Sequence, residues 1–141
     1  MTNLTQTLLE IRNKFNQQTA EQIKNRDEQR AEQMTALIDE YIYLIDHTTK
    51  TLQRAGLIKS RHQFSKIINL PSNFCYDLPT KRTKPQLKDI TSIQMYIQNI
   101  LSDLNHLLDE YANKQVIQST LNRLSDRYTQ LFINAQRIYL S

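Results

Sequence analysis

The first side chains to consider for chemistry are a histidine and the carboxylates near it. Asp103 precedes His106 by three residues and Glu110 follows it by four, so His106 and Glu110 would share one face of a helix. Metal sites inside helical bundles combine carboxylate–histidine pairs from two helices with further carboxylates. The sequence contains one such pair and no matching second pair. We therefore interpret these residues as solvated polar side chains, and we expect no bound metal and no other cofactor.

The next candidate is a nucleophile, Cys75, the single cysteine of the chain. A catalytic thiolate needs a neighbouring base or a positive field, whereas the residues beside Cys75 are Phe74 and Tyr76. This setting favours a buried structural cysteine. The chain also has a single glycine, Gly56, which argues against glycine-rich phosphate-binding loops. We predict that the protein is not an enzyme.

Basic residues are concentrated in two parts of the chain, and this uneven charge is the clearest signal for a binding site. Residues 57–85 contain six basic side chains and one acidic one, and residues 113–141 contain four and one. Cations free of acidic neighbours attract phosphates, and interleaved aromatic residues could stack on unpaired bases. The alternative is that the aromatic residues pack in the core while the lysines keep a loop soluble. The candidate residues for binding a nucleic acid or another anionic partner are Lys59, Arg61, Lys66, Lys81, Arg82, Lys84, Arg123 and Arg127.

The closing segment, 121–138, is amphipathic and basic: Arg123 and Arg127 share one helical face, and Arg137 follows them. This pattern resembles the basic C-terminal helices of the PriC family of replication-restart proteins. The resemblance covers less than a fifth of the chain. It implies the same class of protein that the charge distribution suggests, a helical protein associated with nucleic acid.

The scarcity of glycine predicts the fold class. At average usage a chain of this length would contain about ten glycines, whereas this one contains one glycine and three prolines. Tight turns of β-sheets need glycine, or Asn and Asp at positive φ, so few chain reversals and long elements are expected. We predict an all-α protein, a three- to four-helix bundle with long helices and a basic central loop region, forming a single domain over residues 1–141.

Residues 1–56 are predicted to form one long helix or a bent pair of helices. The apolar positions of 34–52 recur at spacings of three and four, as on one face of an amphipathic helix. Gly56 suits the left-handed residue that follows the end of such a helix. At the start of the chain the same spacing places another apolar group on one helical face: Leu4, Leu8, Ile11 and Phe15.

Apolar residues are rare between these two groups. In residues 16–33 only Ala20, Ile23 and Ala31 are apolar, and a helix with so little apolar surface is stable only within a longer helix or against a partner. The stretch is therefore either a solvated bend or an arm that completes its packing in an oligomer or complex. In the second case these three residues would contact the partner protein.

The middle of the chain, 57–85, is predicted to form a short helix followed by a basic loop. Ser60 could cap a helix that runs through Ile68. Residues 73–79 are expected to form an ordered loop with three large apolar side chains to bury, and residues 80–85 an exposed basic connector.

Residues 86–141 are predicted to form a C-terminal helical hairpin with a weak break at 113–114. Apolar stripes run along 87–111 and 116–138, and antiparallel helices can bury both stripes against each other. The buried stripes of the whole protein are expected to centre on Leu37, Tyr41, Leu44, Ile97, Leu104, Leu121, Leu124 and Leu131.

Together these patterns favour a non-catalytic helical interaction or adaptor subunit that binds a protein partner or assembles as a homo-oligomer. The alternative is a nucleic-acid-associated helical bundle, such as a DNA replication or repair accessory, that uses 57–85 and the last helix. The longest uninterrupted apolar stretch, Tyr41–Ile45, is far too short to cross a bilayer. The N-terminus lacks the pattern of a signal peptide, so we expect no membrane association and a cytoplasmic location.

Overall fold

The computed structural model describes residues 3–108 and 113–140, and these residues are mostly helical. They form five helices: α1 (Asn3–Arg54), α2 (Arg61–Ile67), α3 (Phe74–Lys81), α4 (Leu87–Asn105) and α5 (Lys114–Tyr139). No strand occurs within these ranges, which confirms the predicted all-α class. None of the described helices combines the length and the apolar character that a transmembrane span requires.

The chain divides into two units, Met1–Met34 and Thr35–Ser141, and α1 contributes residues to both. α1 is helical throughout the polar stretch 16–33, where the sequence left a bend open. That stretch contains neither glycine nor proline, so every residue in it can both donate and accept a helical backbone hydrogen bond. In the first unit the described side chains from Asn3 to Gln33 are all exposed.

The end of α1 is set by Gly56, whose φ of +74° lies in the left-handed region. The Gly56 N–H donates to the carbonyl of Gln53 (3.0 Å), and the Leu57 N–H donates to the carbonyl of Leu52 (2.9 Å). These two bonds form a Schellman motif, which satisfies carbonyls that the end of a helix would otherwise leave without partners.

The core lies in the second unit, where residues 35–54 of α1 pack with the other helices. The Thr48 and Tyr128 hydroxyls share a buried hydrogen bond (2.8 Å) that joins α1 to α5. The Gln98 side chain of α4 donates to the Ser125 hydroxyl of α5 (2.8 Å). All eight residues predicted to centre the buried stripes are buried, as expected: Leu37, Tyr41, Leu44, Ile97, Leu104, Leu121, Leu124 and Leu131.

α2 begins as the sequence predicts, because the Ser60 hydroxyl accepts a hydrogen bond from the Gln63 N–H (3.2 Å).

The predicted loop at 73–79 is wrong, since these residues lie mostly in α3. Cys75 and Leu78 are three residues apart and both buried, so this short helix has an apolar face that sequence reasoning overlooked. Pro79 lies near the C-terminal end of α3. Because proline has no backbone N–H, α3 lacks one hydrogen bond there, and the loss affects only its last turn.

α4 and α5 are separate helices that pack against each other. α4 ends at Asn105, before the end of its predicted apolar stripe, and Leu107 and Leu108 are exposed. Tyr111, the last predicted stripe residue, lies outside the described residues. α5 begins directly after Asn113, which adopts a left-handed backbone with φ of +70°.

Candidate functional site

An exposed apolar face on the first unit is the clearest candidate for a binding surface. We call Leu4, Leu8, Ile11 and Phe15 the N-terminal apolar face. Spacings of four, three and four residues place their side chains on one side of α1. Their exposed fractions are 71%, 58%, 60% and 66%, so the described residues leave this face largely uncovered.

The N-terminal apolar face is as large as the apolar patches that often carry function. At roughly 180 Å² for a fully exposed large side chain, its four residues present about 450 Å² of apolar surface to solvent. The largest apolar patch on a typical monomeric protein covers about 300–600 Å² and is often a functional surface. The sequence identifies the four residues as one helical face, and the structure adds their exposure.

The three residues predicted to contact a partner lie elsewhere on α1. Ala20, Ile23 and Ala31 are all exposed, and Ile23 is a large side chain with a 52% exposed fraction. At about 100° per residue, their mean direction is about 140° around the helix from the N-terminal apolar face. The structure therefore places them in solvent but on a different side from the larger apolar group.

Four of the eight predicted anion-binding cations form ion pairs within the protein. Three of them pair with acidic residues of α1: Arg61 with Asp46 (2.8 Å), Arg82 with Asp39 (2.7 Å) and Arg127 with Glu40 (2.6 Å). The fourth pair, Lys81 with Asp77 (3.4 Å), lies within α3. All these pairs are partly or largely exposed, so each contributes little stability. They do place a carboxylate beside each cation, which weakens its attraction for phosphate.

The remaining four predicted cations are in different settings. The Lys84 ammonium lies 4.3 Å from the centre of the Tyr139 ring, a cation–π contact. Lys59 and Lys66 are exposed, and neither forms an ion pair with a described residue. Arg123 lines a pocket between α1 and α5. The eight residues thus do not form one continuous group of unpaired cations.

The candidate catalytic groups show no assembled site in the described part of the chain. Asp103 and His106 are exposed at the end of α4, while Asp109 and Glu110 lie outside the described residues. Within 3–108 and 113–140, no group of three or more His, Cys, Asp or Glu side chains is close enough to hold a metal ion.

Cys75 is buried, as its sequence setting predicts. Burial raises the pKa of its thiol above the ordinary value, and a hydrogen bond from Ser65 and the charge of Arg61 oppose that effect only in part. The Ser65 hydroxyl lies 3.0 Å from the Cys75 sulfur and also accepts the Cys75 N–H (3.3 Å). A thiol that stays protonated and buried is suited to packing rather than to nucleophilic attack.

No protein-family model, curated protein or solved structure matches the chain.

Proposed function

We propose that the chain is a non-catalytic helical interaction module, a three- to four-helix bundle that binds a helix of another protein chain through its N-terminal apolar face. The single observation that carries this proposal is the exposure of Leu4, Leu8, Ile11 and Phe15 on one side of α1. Burial of apolar surface is the main driving force of most protein association. An amphipathic helix pairing with a second helix uses this spacing of anchor residues.

The size of the N-terminal apolar face suits a modest interface. If a partner helix presented an equal apolar area, the apolar surface buried on both sides would be on the order of 900 Å². Flanking polar atoms would add to that area. Such an interface is smaller than a standard specific interface and falls in the size class of weak, transient contacts.

The residues beside the N-terminal apolar face indicate the partner's chemistry. Arg12 and Lys14 lie on its two sides by helical spacing, and the described residues give neither of them an ion pair. A partner helix with an apolar stripe and carboxylates beside it would complement this surface, since charges at the rim set the orientation and the rate of association.

The nucleic-acid alternative has weaker support from the arrangement of the cations. Phosphate binding gains from each cation that can release counterions, but Arg61, Lys81, Arg82 and Arg127 already lie beside carboxylates. The protein-binding proposal is therefore the better supported of the two.

The experiment compares the full chain with two variants in capture from the native host, with and without nuclease. The first variant replaces Leu8, Ile11 and Phe15 with Gln, which keeps helix propensity and removes the apolar anchors. The second replaces Leu9 with Gln as a control, because Leu9 is 51% exposed on the same helix but points about 100° away from Leu8.

We expect another protein to co-purify with the full chain. If the partner is a second copy of the same chain, light scattering should detect the dimer. This association should survive nuclease, persist in Leu9→Gln and be lost in the triple variant. A strict monomer that captures nothing, or an association that the triple variant retains, would contradict the proposal. Association that nuclease abolishes would support the nucleic-acid alternative instead.

A further inference from the structure

A pocket of about 370 Å³ lies between the last turns of α1 and the first turns of α5, within the unit Thr35–Ser141. Its volume falls within the range of small-molecule sites. Six of its nine described lining residues carry hydrogen-bonding or cationic side chains: His47, Thr51, Arg54, Asn113, Thr120 and Arg123. None of the described residues that line it is acidic.

Two arginines without a carboxylate partner among the described residues line this pocket. Arg61, Arg82 and Arg127 each pair with a carboxylate, whereas Arg54 and Arg123 form no ion pair with any residue in 3–108 or 113–140. Two arginines that line one pocket without a carboxylate partner among the described residues offer positive charge to a bound anion. Guanidinium groups also match the geometry of a phosphate with paired hydrogen bonds.

Groups beside the arginines add donors and hold the pocket in shape. The His47 ring stacks on the Tyr43 ring, with centroids 5.8 Å apart and planes 10° apart, which fixes the imidazole at the edge of the pocket. The Thr51 hydroxyl donates to the His47 carbonyl (2.8 Å), so it offers no proton to an anion. Thr120 brings a second hydroxyl from α5.

The helix ends at the pocket favour an anion on balance. The carbonyls at the end of α1 receive the Gly56 and Leu57 N–H groups, which reduces the negative character of that end. At the start of α5 the Asn113 side chain makes no capping hydrogen bond, and the N-terminal end of a helix carries a positive partial charge.

The pocket also has an apolar wall, which points to an organic ligand rather than a bare ion. Ala55, Val116 and Ile117 line it, and Val116 is 65% exposed although it belongs to the apolar pattern of α5. We propose that this pocket binds a small organic phosphate monoester, with Arg54 and Arg123 holding the phosphoryl group and Val116 contacting the organic part. This site is independent of the N-terminal apolar face and of the interaction function.

Titration of the full chain with adenosine 5′-monophosphate, inorganic phosphate and adenosine, followed by calorimetry and by ³¹P NMR, tests the proposal. The variants Arg54→Gln and Arg123→Gln each remove one guanidinium. Arg137→Gln is the matched control, since it removes the same charge from the last turn of α5 and does not line the pocket. Far-ultraviolet circular dichroism of each variant establishes that the helices are intact.

The expected result is that the nucleotide binds more tightly than inorganic phosphate and that adenosine does not bind. Each pocket variant should weaken nucleotide binding about tenfold or more, as the loss of a charge-assisted hydrogen bond does, whereas Arg137→Gln should change it less than about twofold. Equal weakening by all three variants, equal affinity for nucleotide and phosphate, or no binding of the nucleotide would overturn the proposal.

Discussion

Two buried tyrosines should respond to the loss of their hydroxyl groups with opposite signs. Tyr41 is 1% exposed, and its hydroxyl has no hydrogen-bond partner among the described residues. Tyr128 is equally buried, but its hydroxyl bonds to Thr48 (2.8 Å), whose own proton goes to the Leu44 carbonyl (2.6 Å). Tyr41→Phe therefore removes a hydroxyl group that loses its hydrogen bonds to water on folding and forms no hydrogen bond with the described residues of the folded protein. Tyr128→Phe removes a made bond and leaves the Thr48 oxygen without its donor.

The magnitudes follow from the cost of burying an unpaired polar group and from the net value of a made bond. The first is about 1–3 kcal/mol and the second about 1 kcal/mol. After allowing for the small void left by the oxygen, Tyr41→Phe should stabilise the protein by about 1 kcal/mol. Tyr128→Phe should destabilise it by about the same amount, a separation of about 2 kcal/mol between the two variants.

Urea unfolding followed by circular dichroism at neutral pH measures both free energies. Tyr76→Phe serves as the control, because Tyr76 is 52% exposed and a surface change of this kind should alter stability by less than about 0.5 kcal/mol. If Tyr41→Phe destabilised the protein as much as Tyr128→Phe, the assignment of an unsatisfied hydroxyl to Tyr41 would be refuted.

Three further predictions concern pH, the end of α1 and the thiol. Burial raises the pKa of both Tyr41 and Tyr128 above the ordinary value of 10.0, so these tyrosines ionise first in the unfolded chain. The free energy of unfolding should therefore be constant up to about pH 10 and fall as the pH rises further. In urea titrations at alkaline pH, Tyr128→Phe should reduce this decrease in the free energy of unfolding by about 1.4 kcal/mol per pH unit. Gly56→Ala should lower the free energy of unfolding, measured in urea, by about 1 kcal/mol, because alanine is strained at the positive φ of this position. An added Cβ would meet no atom within 4 Å, so a larger decrease would contradict this explanation and indicate a steric clash. Cys75 should react with iodoacetamide only as fast as the protein opens, so a rate that is independent of urea would contradict its burial.

The parts of the fold that depend on local pattern could be predicted from the sequence. Apolar spacing identified the buried stripes of α4 and α5 because a helix repeats its faces over three or four residues. Ser60 and Gly56 were assigned as helix-end residues because their chemistry satisfies backbone groups nearby in the chain. α3 was missed because the buried pair Cys75 and Leu78 is too short a signal to reveal a helix by itself.

The candidate sites depend on long-range placement, which the sequence does not reveal. Charge counted along the chain suggested a free basic region at 57–85, but Asp39 pairs with Arg82 from 43 residues away. In the same way Glu40 reaches Arg127 across 87 residues. Solvent exposure of the N-terminal apolar face also depends on what the rest of the chain covers, and no spacing rule contains that information.

Site-specific photo-crosslinking in the native host tests the central claim most directly. A photoreactive phenylalanine derivative at Phe15 lies on the N-terminal apolar face, and the same derivative at Asn13 lies about 160° around the helix as a matched control. The account predicts a cross-linked protein–protein product from position 15 and little or none from position 13. Absence of a product at position 15, or equal products from both positions, would contradict the claim that this face binds another protein chain.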